Sequence, residues 1–192
     1  MLKLAGETNI GILEAHEADL DAHTRNLWEV RRTTAIYYPP QIGTRPGGAT
    51  GTVLDAANRL FAMPFPIAVD RTADRIVCNV TVQAGQKIRM GIYSNGVNMA
   101  PGTLLLDAGE VTLSGIGEIA ITIDQALPKG LYWVALVSDG TPAIREVNTN
   151  CLPLPGSGTN GVYVAHTYGA LPDPFGAANF HYRAWFFGLR FS

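Results

Sequence analysis

Two different periods of apolar residues divide the chain. Between residues 12 and 31, Leu13, His16, Leu20, His23, Leu27 and Val30 recur at alternating spacings of three and four, the a/d seam of a coiled coil. Acidic residues (Glu14, Glu17, Asp19, Asp21) crowd the first half of this stretch and Arg25, Arg31 and Arg32 the second, which suits a helix dipole. Thr8 or Asn9 can cap its start. The apolar stripe is narrow with polar flanks, so it fits self-association better than docking on a broad sheet. From Val53 onward the period changes to two. Ile88, Met90 and Ile92 alternate with Lys87, Arg89 and Gly91, and Ile119, Ile121 and Ile123 alternate with smaller or polar neighbours.

Further strand-like runs are RIVCNVTV at 75–82, TLLLD at 103–107, LYWVALVSD at 131–139, GVYVAHTY at 161–168 and HYRAWFFGLRFS at 181–192. Turn signals separate them, among them Ser94-Asn95-Gly96, Pro101-Gly102, Pro128-Lys129-Gly130 and Asp139-Gly140. FAMPFPIAV at 61–69 reads as a first strand that Pro64 and Pro66 confine to a sheet edge. Residues 33–52 carry Pro39-Pro40, Pro46 and a run of glycines, which exclude both a helix and a central strand. The expected fold class is therefore mainly β, an antiparallel β-sandwich or jelly-roll-like domain with an N-terminal α-helical coiled-coil stem. Residues 1–32 are expected to form the helical oligomerisation stem, 33–52 an extended arm and 53–192 the sandwich.

Composition narrows the function classes. Of 192 residues, 47% are hydrophobic and 16% charged, enough apolar material for a core and too little charge for a disordered chain. The net charge is −2 and no basic run exceeds the pair Arg31-Arg32, which disfavours nucleic acid as a partner. No signal-peptide core or apolar run of about 18 residues is present, so membrane insertion is not expected. The two cysteines, Cys78 and Cys151, read as reduced thiols, with a single bridge between them left open.

Candidate chemistry is sparse. His166 and His181 are left once His16 and His23 join the seam, and neither has a recognisable nucleophile or orienting carboxylate in the sequence. No serine sits in a nucleophile elbow, no glycine run has P-loop order, and no zinc or EF-hand spacing occurs. No enzyme activity, cofactor or metal is expected. For glycan contact the candidates are Tyr93, Asn95 and Asn98, an aromatic face beside amides. Tyr132, Trp133 and Trp185 are further aromatics, of which both tryptophans fit a core better because they lie in apolar strands.

The segment EAHEADLDAHTRNLW at 14–28 resembles the helical stems of tailed-bacteriophage fibre, spike and head-decoration proteins. PGTLLLDAG and LPKGLYWVALVSDG look like lines from the sandwich modules of such virion proteins. The resemblance implies a non-catalytic homotrimer located in the virion, a capsid decoration or head-fibre protein. Its partners would be its own copies, the major capsid protein and a host-surface glycan. A tail-fibre or carbohydrate-binding module is the alternative.

Overall fold

The computed structural model describes residues 37–38, 46–82, 85–147 and 160–192. The six seam residues Leu13, His16, Leu20, His23, Leu27 and Val30, and with them the expected coiled-coil stem, lie outside that set. So does Cys151.

Among the described residues the chain is mainly β, with twelve strands in two antiparallel sheets. The first sheet contains β1 (Tyr37–Tyr38), β2 (Pro46–Val53), β4 (Arg71–Val82), β7 (Gly117–Leu127), β9 (Ala143–Val147) and β12 (Phe187–Phe191). Its centre is β4. On one side β4 pairs with β7, from Arg71↔Leu127 to Val80↔Gly117. On the other it pairs first with β12, between Ala73 and Cys78, and then with β9 at Val80 and Val82. The second sheet runs β11 (Asn179–His181), β10 (Gly161–Ala165), β3 (Arg59–Ile67), β8 (Gly130–Ser138), β5 (Lys87–Asn95) and β6 (Pro101–Thr112).

The two sheets share one core. Phe61, Met63, Phe65, Ile88, Met90, Ile92, Val134 and Leu136 come from the second sheet, and Ile76, Cys78, Ile144, Phe187, Leu189 and Phe191 from the first. Among them Ile88, Met90 and Ile92 are alternate positions that the period of two picked out, and Ile119, Ile121 and Ile123 pack partly buried against the same core, since side chains at i and i+2 share a face. Cys78 is a free, buried thiol in this layer, and burial pushes its pKa up to about 12.

A second apolar layer lies on the outer side of the second sheet. Leu60, Ala62, Tyr93, Trp133, Ala135, Val137 and Val162 pack there against Leu171 and Phe175. Strands β3 and β8 are thus covered on both faces, which is why their sequences read as continuous apolar runs rather than alternations. Tyr93 meets Phe175 edge-on at 5.2 Å, a pairing that contributes about 0.5–1.5 kcal/mol beyond its area.

Two expectations need correction. Strand β3 is interior, not an edge, with β10 and β8 on either side. The proline rule is nevertheless obeyed locally: β10 pairs only with Arg59–Ala62, so Pro64 and Pro66 stand where β8 is the sole neighbour. Second, 181–192 is not one strand. His181 ends β11 in one sheet and Phe187 begins β12 in the other, so residues 182–186 carry the chain across the core. Of 33–52, the described residues supply β1 and most of β2 at the two ends of the β1-β12-β4-β9-β2 path. Edge positions tolerate its proline and glycines.

Candidate functional site

The three residues singled out for glycan contact lie close in sequence but have different fates. Tyr93 is fully buried under the 171–175 segment, and its hydroxyl donates to the Pro172 carbonyl at 2.8 Å. Burial, with the carboxylates of Asp107 and Asp173 adding to it, raises its pKa, so it offers no face to a sugar. Asn95 is exposed but uses its side-chain oxygen to accept the Trp133 indole N–H at 3.0 Å. Asn98 is exposed, in a left-handed conformation (φ 55°) that Asn tolerates, at the tip of the β5–β6 turn. Trp133 and Trp185 both belong to the interior.

The densest group of chemically competent side chains forms where β11 meets the crossing segment 182–186. His181 is buried at 5% exposure between the rings of Trp185 (4.8 Å, 23°) and Tyr182 (5.3 Å, 21°), with Phe61 edge-on at 5.1 Å. Its Nε2 lies 2.7 Å from Asp55 Oδ2, and its Nδ1 accepts the Arg183 N–H at 3.1 Å. In that tautomer Nε2 donates and Nδ1 accepts, so both ring nitrogens are engaged and neither is free to take a proton from a substrate. The sequence reading gave His181 no carboxylate; the structure supplies Asp55, 126 residues away. Arg183 holds the other oxygen of Asp55 at 3.3 Å, approaches Glu146 at 3.9 Å and lies over the Tyr182 ring. The indole N–H of Trp185 is buried with no partner among the described residues.

This arrangement is better suited to holding than to reacting. The imidazole ties β11 to the segment before β3, alternation along the strand turns Phe180 outward, and Tyr182, just past the strand, stacks on the imidazole from the solvent side. Phe180 is 59% and Tyr182 62% exposed, two large aromatic faces flanking a buried histidine. His166, the other described histidine, places Nε2 3.0 Å from the Ala170 carbonyl within its own loop.

A comparable polar tie fixes the cover over the second sheet. Asp107 accepts from Arg89 Nε at 2.7 and 2.9 Å, from Gly109 N–H at 3.0 Å and from Leu171 N–H at 3.0 Å. Burial pushes its carboxyl up, but the Arg89 guanidinium and the two N–H groups outweigh that and hold it below the ordinary carboxylate value. Among the described residues no cluster of three or more His, Cys, Asp or Glu is placed to hold a metal, and no helix is long and apolar enough to cross a membrane.

The class of protein that these observations define is a two-sheet antiparallel β module with aromatic and polar groups on its rim. No family model matches the chain. No curated protein matches it either. Among solved structures it is similar to that of the cysteine protease and lectin-like domains of Cwp84, a surface-layer-associated protein of Clostridium difficile. The identity is 14% and the TM-score 0.42, over 69% of this chain and 33% of that one. This chain thus spans about a third of that protein's length, and no residue role is carried over from it.

Proposed function

We propose that the chain is a non-catalytic structural protein of a tailed-phage virion, a homotrimeric head-decoration or head-fibre protein with a jelly-roll-like head. The stem at 1–32 would set its symmetry, and the sandwich would dock on the major capsid protein or present an adhesive face. The observation that carries this reading is the exposed pair Phe180 and Tyr182 beside a histidine whose two nitrogens are already engaged. Exposed aromatics at the end of an edge strand suit a recognition surface, because large amphipathic rings are enriched where proteins meet partners. Mass spectrometry of purified particles, made with wild type and with Phe180→Ser/Tyr182→Ser, tests it. The reading expects the chain in the particle, and the variant, folded to the same melting temperature, attached at a tenth of the wild-type level or less. Absence from particles, or equal attachment, refutes it.

A carbohydrate-binding module is the second reading. It is favoured by the end of the sandwich that carries the exposed Asn98 turn, where β5 and β3 also end, at Asn95 and Ile67, and β8 begins, at Gly130.

A further inference from the structure

The same end of the sandwich holds an open cleft of about 370 Å³ between the head of β4 and the tail of β7, within the ~300–1,000 Å³ span of small-ligand sites. Asp70, Arg71 and Thr72 form one side, Ala126, Leu127 and Pro128 the other, and Ser192 closes it. Strand pairing fixes these walls. Arg71 lies opposite Leu127 and Thr72 opposite Ala126, while the Ser192 N–H donates to the Thr72 carbonyl at 3.1 Å. The Tyr132 hydroxyl donates to the Pro128 carbonyl at 2.8 Å and steadies the rim.

What sets the cleft apart is its cation. Arg59 lies over the Tyr163 ring, Arg75 donates to the Asp74 carbonyl, Arg89 pairs with Asp107, Arg145 with Asn79, Arg183 with Asp55, and Arg190 with Asp74. Arg71, half-buried in the cleft wall, is alone among the described arginines in having a side chain with no hydrogen bond, ion pair or ring contact with the described residues. Beside it Asp70 gives one oxygen to the Lys129 N–H at 2.7 Å and keeps the other. A planar, undischarged guanidinium suits a carboxylate, which it can hold through two parallel N–H donors. The adjacent carboxylate changes which anion fits: it repels a doubly charged phosphate or sulfate more than a singly charged carboxylate, and it accepts from a ligand that brings hydroxyl donors of its own. The apolar wall gives such a ligand a C–H face to lie against.

We propose that this cleft binds a single acidic sugar residue of the hexuronic type. Its carboxylate sits on Arg71, its hydroxyls on Asp70, Thr72 and Ser192, and its ring face against the exposed Ala126 and Pro128. This deepens the carbohydrate-binding reading and rests on it.

The test is a titration of the isotope-labelled full chain with glucuronate, glucose, acetate and inorganic phosphate, followed by amide chemical shifts. Glucuronate is expected to move the amides of Arg71, Thr72, Leu127, Lys129 and Ser192 saturably, and to bind at least ten-fold tighter than the other three. Arg71→Gln is expected to lose ten-fold or more at an unchanged melting temperature, and Arg71→Lys to lose less. Equal binding of acetate or phosphate overturns the proposal, as does undiminished binding by Arg71→Gln. Shifts confined to the Asn95–Asn98 turn sink the cleft and leave the carbohydrate-binding reading standing. Silence towards both sugars removes both.

Discussion

Replacing Asp107 by alanine removes the acceptor that holds the 171–175 cover against the outer face of the second sheet. Its two oxygens take the Arg89 guanidinium and the N–H groups of Gly109 and Leu171, and the alanine leaves all three donors without it. Each hydrogen bond to a charged acceptor is worth ~1.5–3 kcal/mol, and breaking a buried ion pair costs ~3–5 kcal/mol. The Arg89 and Asp107 side chains are 23% and 19% exposed, so solvent screening discounts the pair. The expected loss is therefore ~2–4 kcal/mol, or ~5–15 °C in melting temperature for a domain of this size. Urea unfolding followed by the fluorescence of Trp133 and Trp185 measures it. The pH dependence supplies an independent check. Because the folded pKa is depressed, the stabilisation is complete above the unfolded value of ~3.9 and is lost as pH falls through the folded one. The gap between wild type and Asp107→Ala should then be flat from pH ~8 to ~5 and shrink below ~4. A loss under ~0.5 kcal/mol, or a gap that persists undiminished in acid, refutes the role given to this carboxylate.

Other outcomes follow from single sites. Asp74→Asn breaks the two-point clamp of Arg190 on Asp74 (2.9 and 2.5 Å) that joins β4 to β12; a loss of ~1–2 kcal/mol is expected in denaturant titrations. Hydrogen bonding to Arg190 holds this carboxyl below its ordinary value, so its contribution likewise vanishes as pH drops below ~4, and a pH-independent loss contradicts the assignment. In a Cys151→Ser background Cys78 should ignore a disulfide reagent at pH ~8 until the protein unfolds, since the thiol is fully buried and its pKa is pushed up to about 12. Gly91→Ala places a Cβ 2.3 Å from Leu171 Cδ1 and 2.5 Å from the Leu106 carbonyl oxygen, and is expected to cost ~2 kcal/mol or more by thermal melting; an unchanged melting temperature shows that the cover shifts freely.

How much of this was legible in the sequence depends on the range of the interaction. Strands β5 and β7 were readable because alternation is a local consequence of one buried face, and the burial of Ile88, Met90 and Ile92 bears it out. The position of β3 was misread because the proline rule was applied to a whole strand, whereas the constraint acts on the few residues that lack a second neighbour. The burial of Tyr93 was hidden for another reason: its cover arrives from Pro172 and Phe175, some 80 residues downstream, with no period linking them. The clue available was the unbroken apolar run YWVALV at 132–137, which demands cover on both faces. The Asp55–His181 contact joins residues separated by 126 positions and carries no local pattern at all.

The distribution of satisfied and unsatisfied polar groups separates the parts of the sandwich that maintain the fold from the part that can receive a ligand. Along the outer face of the second sheet, Lys87 and Glu110, and Arg89 and Asp107, neutralise one another, and the Tyr168 hydroxyl donates to Glu110. Any partner approaching there must break bonds already made, at the cost of leaving their donors desolvated. At the β11 edge His181, Asp55 and Arg183 are equally committed, but Phe180 and Tyr182 present apolar area that is still in water, so a partner gains by covering it without displacing a bond. At the Arg71 cleft the position is reversed: the apolar wall is short, and the uncommitted groups are a guanidinium and a carboxylate oxygen. Burial of area rewards a broad protein surface, whereas a fixed pair of unlike charges rewards a small ligand that carries both an anion and hydroxyls. On the two proposals above, the module is anchored through the aromatic edge while the cleft remains open to solvent.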